Sequence, residues 1–263
     1  MEYEIKKLKR KSHPLSKHRL LLTRPGSDND SLAQEARKMG AVTLSLPCLQ
    51  ILPSTNPEYW QQQLSSLTDC HGVIFTSKHA VEAVKSLWPS TLQAPVYAVG
   101  PSTAQHIQAA GLPQATVAEP ASSEGLLQLP ALQAVDRQHW VVIGGENPRN
   151  HLLENLEQRG AKTTFIACYR RACPSYSRDS LQRLEKEKLN TVVIQSMGAL
   201  HNLAKLLKDL SEHELWSARL VVPNERYPAA ATKLGFCGKV LVVGSTTDQA
   251  IIDTLMHDAR TSE

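Results

Sequence analysis

Hydrophobic and polar positions alternate along the chain in a pattern that predicts short strands followed by amphipathic helices. Residues 20–53 contain an apolar strand, a polar loop, an amphipathic helix and a second strand. In the predicted helix, Leu32, Ala36 and Met39 recur at helical spacing, and Gly40 follows where a helix commonly ends. Strands that alternate with helices favour parallel sheets covered on both faces.

The same pattern returns about 120 residues later in the chain. Residues 140–174 repeat the arrangement of 20–53, and three further strand–helix pairs occur in each half. The matched pairs are 72–84 with 191–203, 96–112 with 220–236, and 115–129 with 239–255. A repeat of this length predicts an α/β protein with two similar parallel-sheet lobes.

Two divisions of the chain into lobes fit the repeat. The segments Leu46–Pro53 and Cys168–Pro174 occupy equivalent places, and each ends at a proline. If they are extended connections that run side by side, the first strand–helix unit belongs with the C-terminal half. A contiguous split near residue 135 satisfies the repeat equally well, so the repeat leaves both divisions open.

The composition is that of a globular protein with an uneven distribution of charge. The chain has 263 residues, 41% hydrophobic and 21% charged, which argues against a disordered or fibrous protein. Residues 1–19 hold seven Lys or Arg against two Glu, whereas the other 244 residues carry 22 basic and 23 acidic groups. We expect a solvated basic tail, in preference to an RNA- or lipid-binding segment, on a body without a nucleic-acid surface.

Several kinds of protein and site are not predicted. No window approaches the roughly 20 apolar residues of a membrane span, and the basic tail does not read as a signal peptide, so we expect a cytoplasmic protein. The five cysteines form no CxxC pair, and the ten histidines form no HExxH motif. The chain also lacks GxSxG, GxxxxGK[ST] and a GxGxxG after a strand. We therefore expect buried reduced thiols and no metal.

Small hydroxyl residues and glycines follow the predicted strands again and again. Ligands bind beyond the carboxyl ends of parallel strands, where helix N-termini present unpaired N–H groups. Each turn taken alone is explained by helix capping, but together, around a shared cleft, they would suit a ligand with many carboxylates or phosphates. The turns are Thr23–Pro25, Thr76–Lys78, Gly100–Thr103, Ser122–Glu124, Gln195–Gly198, Asn224–Arg226 and Ser245–Asp248.

Several short motifs follow one another along the chain. They are TRP (Thr23–Pro25), FTSKHAV (Phe75–Val81), AVGPST (Ala98–Thr103), SSEGLLQLP (Ser122–Pro130), CYRR (Cys168–Arg171), and Glu225–Arg226 followed by AAATKLG (Ala229–Gly235). Their order and spacing resemble the uroporphyrinogen-III synthase family from about residue 19 to residue 256. The resemblance implies two flavodoxin-like, three-layer lobes joined by a two-stranded β connector. It places residues 1–47 and 174–263 in one lobe and 48–173 in the other, with connectors at about 46–53 and 168–174.

The resemblance also implies an activity. Members of the family cyclise hydroxymethylbilane, a linear tetrapyrrole, with inversion of ring D and loss of water, which is a hydro-lyase reaction of haem biosynthesis. No cofactor or metal is implied, and we expect a monomer. The main task of such an enzyme is to hold a reactive chain in one folded geometry, because unguided closure gives the other isomer.

The resemblance also implies roles for particular residues of this sequence. Tyr169 is the candidate general acid for departure of the hydroxyl, since a phenol is protonated at neutral pH; the alternative is that Tyr169 only packs. Ser77, Thr103, Arg149 and Ser196 match positions that border the substrate. The full set of predicted substrate-binding residues is Arg24, Thr76, Ser77, Lys78, Gly100, Thr103, Ser123, Arg149, Ser196, Gly198, Asn224 and Arg226.

Two other functions remain open at this stage. One is a non-enzymatic two-lobed binding module for an anionic small molecule. The other is an inactive regulator with the same fold. Turnover of hydroxymethylbilane distinguishes the enzyme from both.

Overall fold

The computed structural model describes residues 13–148, 150–209 and 214–261. These residues belong to two compact units, one formed from 1–50 and 173–263 and the other from 51–172. The strands are β1 (Arg19–Leu22), β2 (Val42–Ser45), β3 (Gln50–Pro53), β4 (Gly72–Phe75), β5 (Val96–Ala98), β6 (Ala115–Val117), β7 (His139–Gly145), β8 (Lys162–Ala172), β9 (Thr191–Val193), β10 (Arg219–Val222) and β11 (Val240–Val242). The α-helices are α1 (Asp30–Lys38), α2 (Pro57–Ser65), α3 (Lys78–Val84), α4 (Pro101–Ala109), α5 (Ser123–Gln128), α6 (His151–Gln158), α7 (Arg178–Lys186), α8 (Met197–Leu207), α9 (Tyr227–Lys233) and α10 (Asp248–Thr261).

The first unit contains a five-stranded sheet in the order β11-β10-β9-β1-β2. All of its neighbouring strands are parallel, and Leu21 on β1 lies opposite Leu44 on β2 and Val192 on β9. The central strands have near-continuous apolar sequences, RLLL in β1 and RLVV in β10. Such runs are typical of parallel strands that are covered on both faces.

Helices cover both faces of this sheet. On one face, Leu20 and Leu22 pack with the apolar side chains of α1 and α10. On the other, Leu21 packs with the apolar side chains of α7, α8 and α9. Burial of successive side chains on opposite faces follows from the two-residue period of a strand. The hydrophobic core of the unit is therefore split into two layers by the sheet.

The second unit contains a six-stranded sheet in the order β3-β8-β7-β4-β5-β6. The pairs β8–β7, β7–β4, β4–β5 and β5–β6 are parallel. One face packs Val73 and Phe75 against α2, α3 and α4, and the other packs Ile74 and Trp140 against α5 and α6. All four residues of β4 are buried, as expected for a central strand.

The two sheets repeat each other strand for strand. The order β2-β1-β9-β10-β11 corresponds to β8-β7-β4-β5-β6, and each pair of matching strands comes from stretches that the sequence repeat aligned. Gly40 and Gly160 end the equivalent helices α1 and α6, with φ of +93° and +88°, which is the left-handed conformation that glycine adopts without strain. The predicted α/β fold with parallel sheets is confirmed.

The second strands of the two repeats differ in length. β2 contains four residues, and Leu46 to Leu49 separate it from β3, whereas β8 continues through eleven residues to Ala172. Tyr169 of β8 lies opposite Gly145, the last residue of β7, and β8 continues for three more residues beyond this pair. Among the described residues, no helix has both the length and the apolar character needed to cross a membrane.

Candidate functional site

In each sheet the strand order reverses at one point, and the strands on its two sides are followed by helices on opposite faces. In the first unit this point lies between β1 and β9, because α1 packs on one face and α8 on the other. In the second unit it lies between β7 and β4, which are followed by α6 and α3 on opposite faces. Loops diverge at such a point and leave a crevice beyond the carboxyl ends of the strands, which is where open α/β sheets bind ligands.

The turn after β4 places three predicted residues, Thr76, Ser77 and Lys78, at this point of the second unit. The Ser77 side chain accepts a hydrogen bond from the backbone N–H of Ala80 at 3.2 Å and so caps α3. The Thr76 hydroxyl donates to the carbonyl of Ile143 at 3.1 Å, which ties the end of β4 to β7. Lys78 begins α3 and is half-buried. The turn is thus held firmly by its own hydrogen bonds.

The hydroxyl of Tyr169 lies against this turn. Its oxygen is 2.9 Å from the Ser77 hydroxyl and 2.7 Å from a guanidinium nitrogen of Arg171, which donates to it. The Arg171 guanidinium also lies 5.2 Å from the centre of the Tyr169 ring, and the His79 ring meets that ring edge-on at 5.7 Å. Tyr169 is 2% exposed, whereas Ser77 is half-buried. A buried phenol is therefore connected to a more accessible hydroxyl.

A bulge in β8 gives Tyr169 this position. Gly144 pairs with Ala167, but the next residue, Gly145, pairs with Tyr169, so β8 contains one residue more than β7 at this point. Bulges re-aim side chains at the ends of strands. As a result, both Cys168 and Tyr169 are buried in the same core layer, although they are consecutive.

Glu146, directly after β7, holds the loop that leads into α2. Its Oε1 accepts hydrogen bonds from the Thr55 N–H at 2.6 Å, the Thr55 hydroxyl at 2.8 Å and the Ser54 hydroxyl at 2.9 Å. The Thr55 hydrogen bonds are the main cause that lowers the pKa of the Glu146 carboxyl. Its backbone N–H donates to the Tyr169 carbonyl at 2.7 Å. Glu146 therefore fixes the loop beside Tyr169.

The remaining predicted residues of the second unit have different environments. Gly100 caps α4 without a side chain, and a Cβ there would come 3.0 Å from that of Ala121. Thr103 lies in the first turn of α4 and is only 4% exposed. Ser122 caps α5, and the predicted Ser123 is the first residue of that helix. Arg149 lies outside the described residues.

In the first unit, Arg24 follows β1 and its charge is already matched. Its guanidinium donates to Asp248 Oδ1 at 2.7 Å and to the carbonyls of Thr246 and Asp28 at 2.8 and 3.2 Å. Arg24 thus joins the turn after β1 to the start of α10. This ion pair was not predicted from the sequence, and it leaves Arg24 less available to an anion than a solvated arginine.

The other four predicted residues of the first unit lie after β9 and β10. Ser196 caps α8 by accepting from the Ala199 N–H at 3.1 Å, and Gly198 lies in the first turn of that helix. Asn224 Oδ1 accepts from the backbone N–H of Arg226 at 3.1 Å, and Arg226 precedes α9 without a capping side-chain bond. All four are near the carboxyl ends of their strands, as predicted.

Two buried cysteines are poorly suited to nucleophilic chemistry. Burial raises the pKa of the Cys48 and Cys168 thiols to about 12, which keeps both protonated and unreactive at neutral pH. Within the described ranges, no group of three or more His, Cys, Asp or Glu residues is arranged to hold a metal ion.

Five residues around Tyr169 have positions that were not predicted from the sequence: Ser54, Thr55, Gly145, Glu146 and Arg171. A signal existed for Arg171, because residues two apart on a strand share a face and Arg171 is two residues after Tyr169. The contacts of Glu146 join residues 91 and 92 positions apart, which no local pattern reveals.

Comparison with known proteins places this chain in a family. The family model described as uroporphyrinogen-III synthase HemD matches residues 30–253. The uroporphyrinogen-III synthase of Salmonella typhimurium LT2 is 30% identical over 228 residues, which are 82% of this chain and 92% of that protein. The enzymes of the same name from Escherichia coli K12 and Synechococcus elongatus are 28% and 27% identical, over 82% and 79% of this chain and 92% and 81% of theirs.

Solved structures show the same fold at lower sequence identity. A crystal structure of uroporphyrinogen-III synthetase from Helicobacter pylori 26695 matches with a TM-score of 0.63 at 12% identity, covering 91% of this chain and 99% of that one. A crystal structure of mutant uroporphyrinogen III synthase from Thermus thermophilus matches with a TM-score of 0.57 at 17% identity, covering 93% and 100%. The family match over residues 30–253 and the shared fold lead to one conclusion: the chain belongs to the uroporphyrinogen-III synthase family.

Proposed function

We propose that this protein cyclises hydroxymethylbilane to uroporphyrinogen III, with inversion of ring D and loss of water. The observation that carries the proposal is the family match over residues 30–253. The hydrogen-bonded Tyr169 hydroxyl at the carboxyl end of a parallel sheet supports it, because the reaction needs a proton donor where the sheet binds ligands.

Tyr169 is the proposed general acid. The hydroxyl of the hydroxymethyl group leaves as water after it receives one proton, and an azafulvene cation remains. The substituted end of the chain then attacks to give a spiro intermediate, which breaks and recloses with ring D turned over. The final closure releases one proton, so the acid is restored and no other reactant is consumed.

The substrate's acetate and propionate groups are the proposed ligands of the loops at the carboxyl ends of both sheets. Backbone N–H groups at the starts of helices favour anions. We assign this role to the turns of the second unit with Thr76, Ser77, Lys78, Gly100, Thr103 and Ser123, and to those of the first with Arg24, Ser196, Gly198, Asn224 and Arg226. Arg149 belongs to the same proposal on the family resemblance alone.

The two units are the proposed lobes of the enzyme. The order β2-β1-β9-β10-β11 agrees with the 2-1-3-4-5 order of flavodoxin-like sheets, which supports that description of each lobe. The pairing of β1 with β9 supports a discontinuous first lobe. We infer that the connector comprises β3 and the end of β8, which are neighbours in one sheet.

The proposed setting is the cytoplasm, with the protein acting as a monomer on a small molecule, without a cofactor, metal, nucleic acid or membrane. All five cysteines are free thiols, which is consistent with a reducing compartment. The alternatives of a binding module or an inactive regulator are not favoured, because the relatives over most of the chain are named as synthases.

The test is the isomer composition of the product. Hydroxymethylbilane is incubated with the protein, and the uroporphyrins obtained after oxidation are separated. We expect mainly the type III isomer with active protein and the type I isomer with heat-denatured protein. Only type I in both samples would contradict the proposed function.

A further inference from the structure

Arg171 contacts the proposed acid but has no role assigned so far. It is exposed near the end of β8, and its guanidinium meets Tyr169 in two ways, through the 2.7 Å hydrogen bond to the hydroxyl and through its position near the ring. Hydrogen bonds from charged donors are shorter and stronger than neutral ones. The hydrogen bond from Arg171 occupies one lone pair of the Tyr169 hydroxyl oxygen and so restricts where its proton can point.

The donor and acceptor capacities of the three groups give the hydrogen-bond chain a direction. A guanidinium only donates, so the Tyr169 oxygen accepts from Arg171, and its own proton can point to the Ser77 oxygen 2.9 Å away. The Ser77 oxygen already accepts from the Ala80 N–H. With both of its lone pairs used, the Ser77 hydroxyl directs its proton away from Tyr169.

We propose that Arg171 is a positioning residue that directs the Tyr169 proton to Ser77, and that the Ser77 hydroxyl passes a proton to the leaving group of the substrate. The proposal rests on the proposed function and deepens it. It explains how a tyrosine that is 2% exposed acts on a substrate, since Ser77 is the more accessible of the two hydroxyls.

All protons moved in this step are exchanged among the substrate, Ser77 and Tyr169. The Ser77 proton moves to the hydroxyl of the hydroxymethyl group as its C–O bond breaks and water leaves. The Tyr169 proton moves to Ser77, and the phenolate that remains is held by the Arg171 guanidinium. The proton released when the macrocycle closes returns along the same path.

A double-mutant cycle on the full chain tests the role of Arg171. Arg171→Met is expected to lower kcat by about 10-fold or more with KM changed less than about 2-fold. In the Tyr169→Phe background the same change should lower kcat by less than about 2-fold, because residues that act as a unit are not additive. Arg171→Lys, which keeps a charged donor, should restore part of the rate.

The matched control is Arg170→Met, on the same strand but on its other side, which should keep most of the wild-type kcat. Equal losses for Arg170→Met and Arg171→Met, multiplicative losses in the Tyr169→Phe background, or a rise in KM alone would overturn the proposal. If the wild-type protein still forms the type III product, these variant results would overturn the role of Arg171 but would leave the proposed function intact. Type I product alone would contradict the function itself.

Ser77 variants test the other end of the chain. Ser77→Thr keeps both the cap and a hydroxyl, so its kcat should fall less than that of a variant that lacks the hydroxyl. Ser77→Asn keeps a good cap for α3 but has no hydroxyl proton to pass on, so kcat should fall by about 10-fold with the thermal midpoint preserved. Full kcat in Ser77→Asn would overturn the relay.

Discussion

The ring of Tyr169 lies directly over Gly145 of the neighbouring strand. A Cβ on Gly145 would come within 2.7 Å of Cζ and 3.1 Å of the hydroxyl oxygen of Tyr169. Gly144 is equally restricted, since a Cβ there would lie 2.5 Å from the Thr76 hydroxyl oxygen. Gly144 and Gly145 at the end of β7 therefore leave the space that is occupied by Thr76 and by the ring of Tyr169.

We predict that Gly145→Ala displaces the Tyr169 ring and reduces activity more than stability. The added methyl overpacks the site, which typically costs about 1–3 kcal/mol of unfolding free energy, within what a domain of this size tolerates. The loss of kcat should be about 10-fold or more, because small displacements of catalytic groups are costly. Steady-state kinetics and urea unfolding of the same samples provide the check; wild-type kcat in this variant would show that the ring need not rest on Gly145.

Glu146 should make the stability of the protein depend on pH. Its folded-state pKa is lowered by the Thr55 and Ser54 hydrogen bonds, so its contribution to stability is present above the ordinary pKa of 4.5 and is lost as the pH falls through the folded-state pKa. Because solvent screens this partly exposed carboxylate, Glu146→Gln should lower the unfolding free energy at pH 7 by only about 0.5 kcal/mol.

The difference between Glu146→Gln and the wild type should shrink in acid, where both side chains are neutral. Chemical denaturation at pH 7 and near pH 3 measures it, and Glu154→Gln, at an exposed position of α6, serves as the control that should change little at either pH. A difference that stays constant with pH would mean that the carboxylate charge does not support the loop.

The cysteines should differ sharply in their reaction with alkylating reagents. Cys237 is exposed, whereas burial raises the pKa of Cys48 and Cys168 to about 12. At pH 8 we expect iodoacetamide to label Cys237 first and to reach Cys48 and Cys168 only after unfolding, since the thiolate is the reacting species. Peptide mass spectrometry reports the sites; labelling of native Cys168 at the rate of Cys237 would contradict its burial.

Much of the fold follows from local pattern. The apolar run GVIF and the helical spacing of Leu32 and Ala36 predict their elements, and the repeat predicts two similar sheets because each half must bury the same faces. The pairing of β1 with β9 could not be predicted from local pattern, since the sequence repeat alone fits two divisions of the chain equally well.

The candidate site could be predicted only in part. Ser77 and Ser196 are recognisable as caps because a serine before an amphipathic run has a local signal. The β8 bulge, the seat of Tyr169 on Gly145 and the contacts of Glu146 depend on strands brought together from distant parts of the chain. Those features set the geometry of Tyr169. Its closeness to Arg171 has a local signal in the two-residue spacing, whereas its hydrogen bond to Ser77 does not.

The most direct test of the account compares Tyr169→Phe with Tyr59→Phe. Tyr59 is 58% exposed, so its variant controls for the loss of one phenol hydroxyl. We predict that kcat for type III product falls by about 100-fold in Tyr169→Phe and stays unchanged in Tyr59→Phe, with both proteins folded as judged by their thermal midpoints. Wild-type kcat in folded Tyr169→Phe protein would contradict the assignment of this tyrosine as the proton donor.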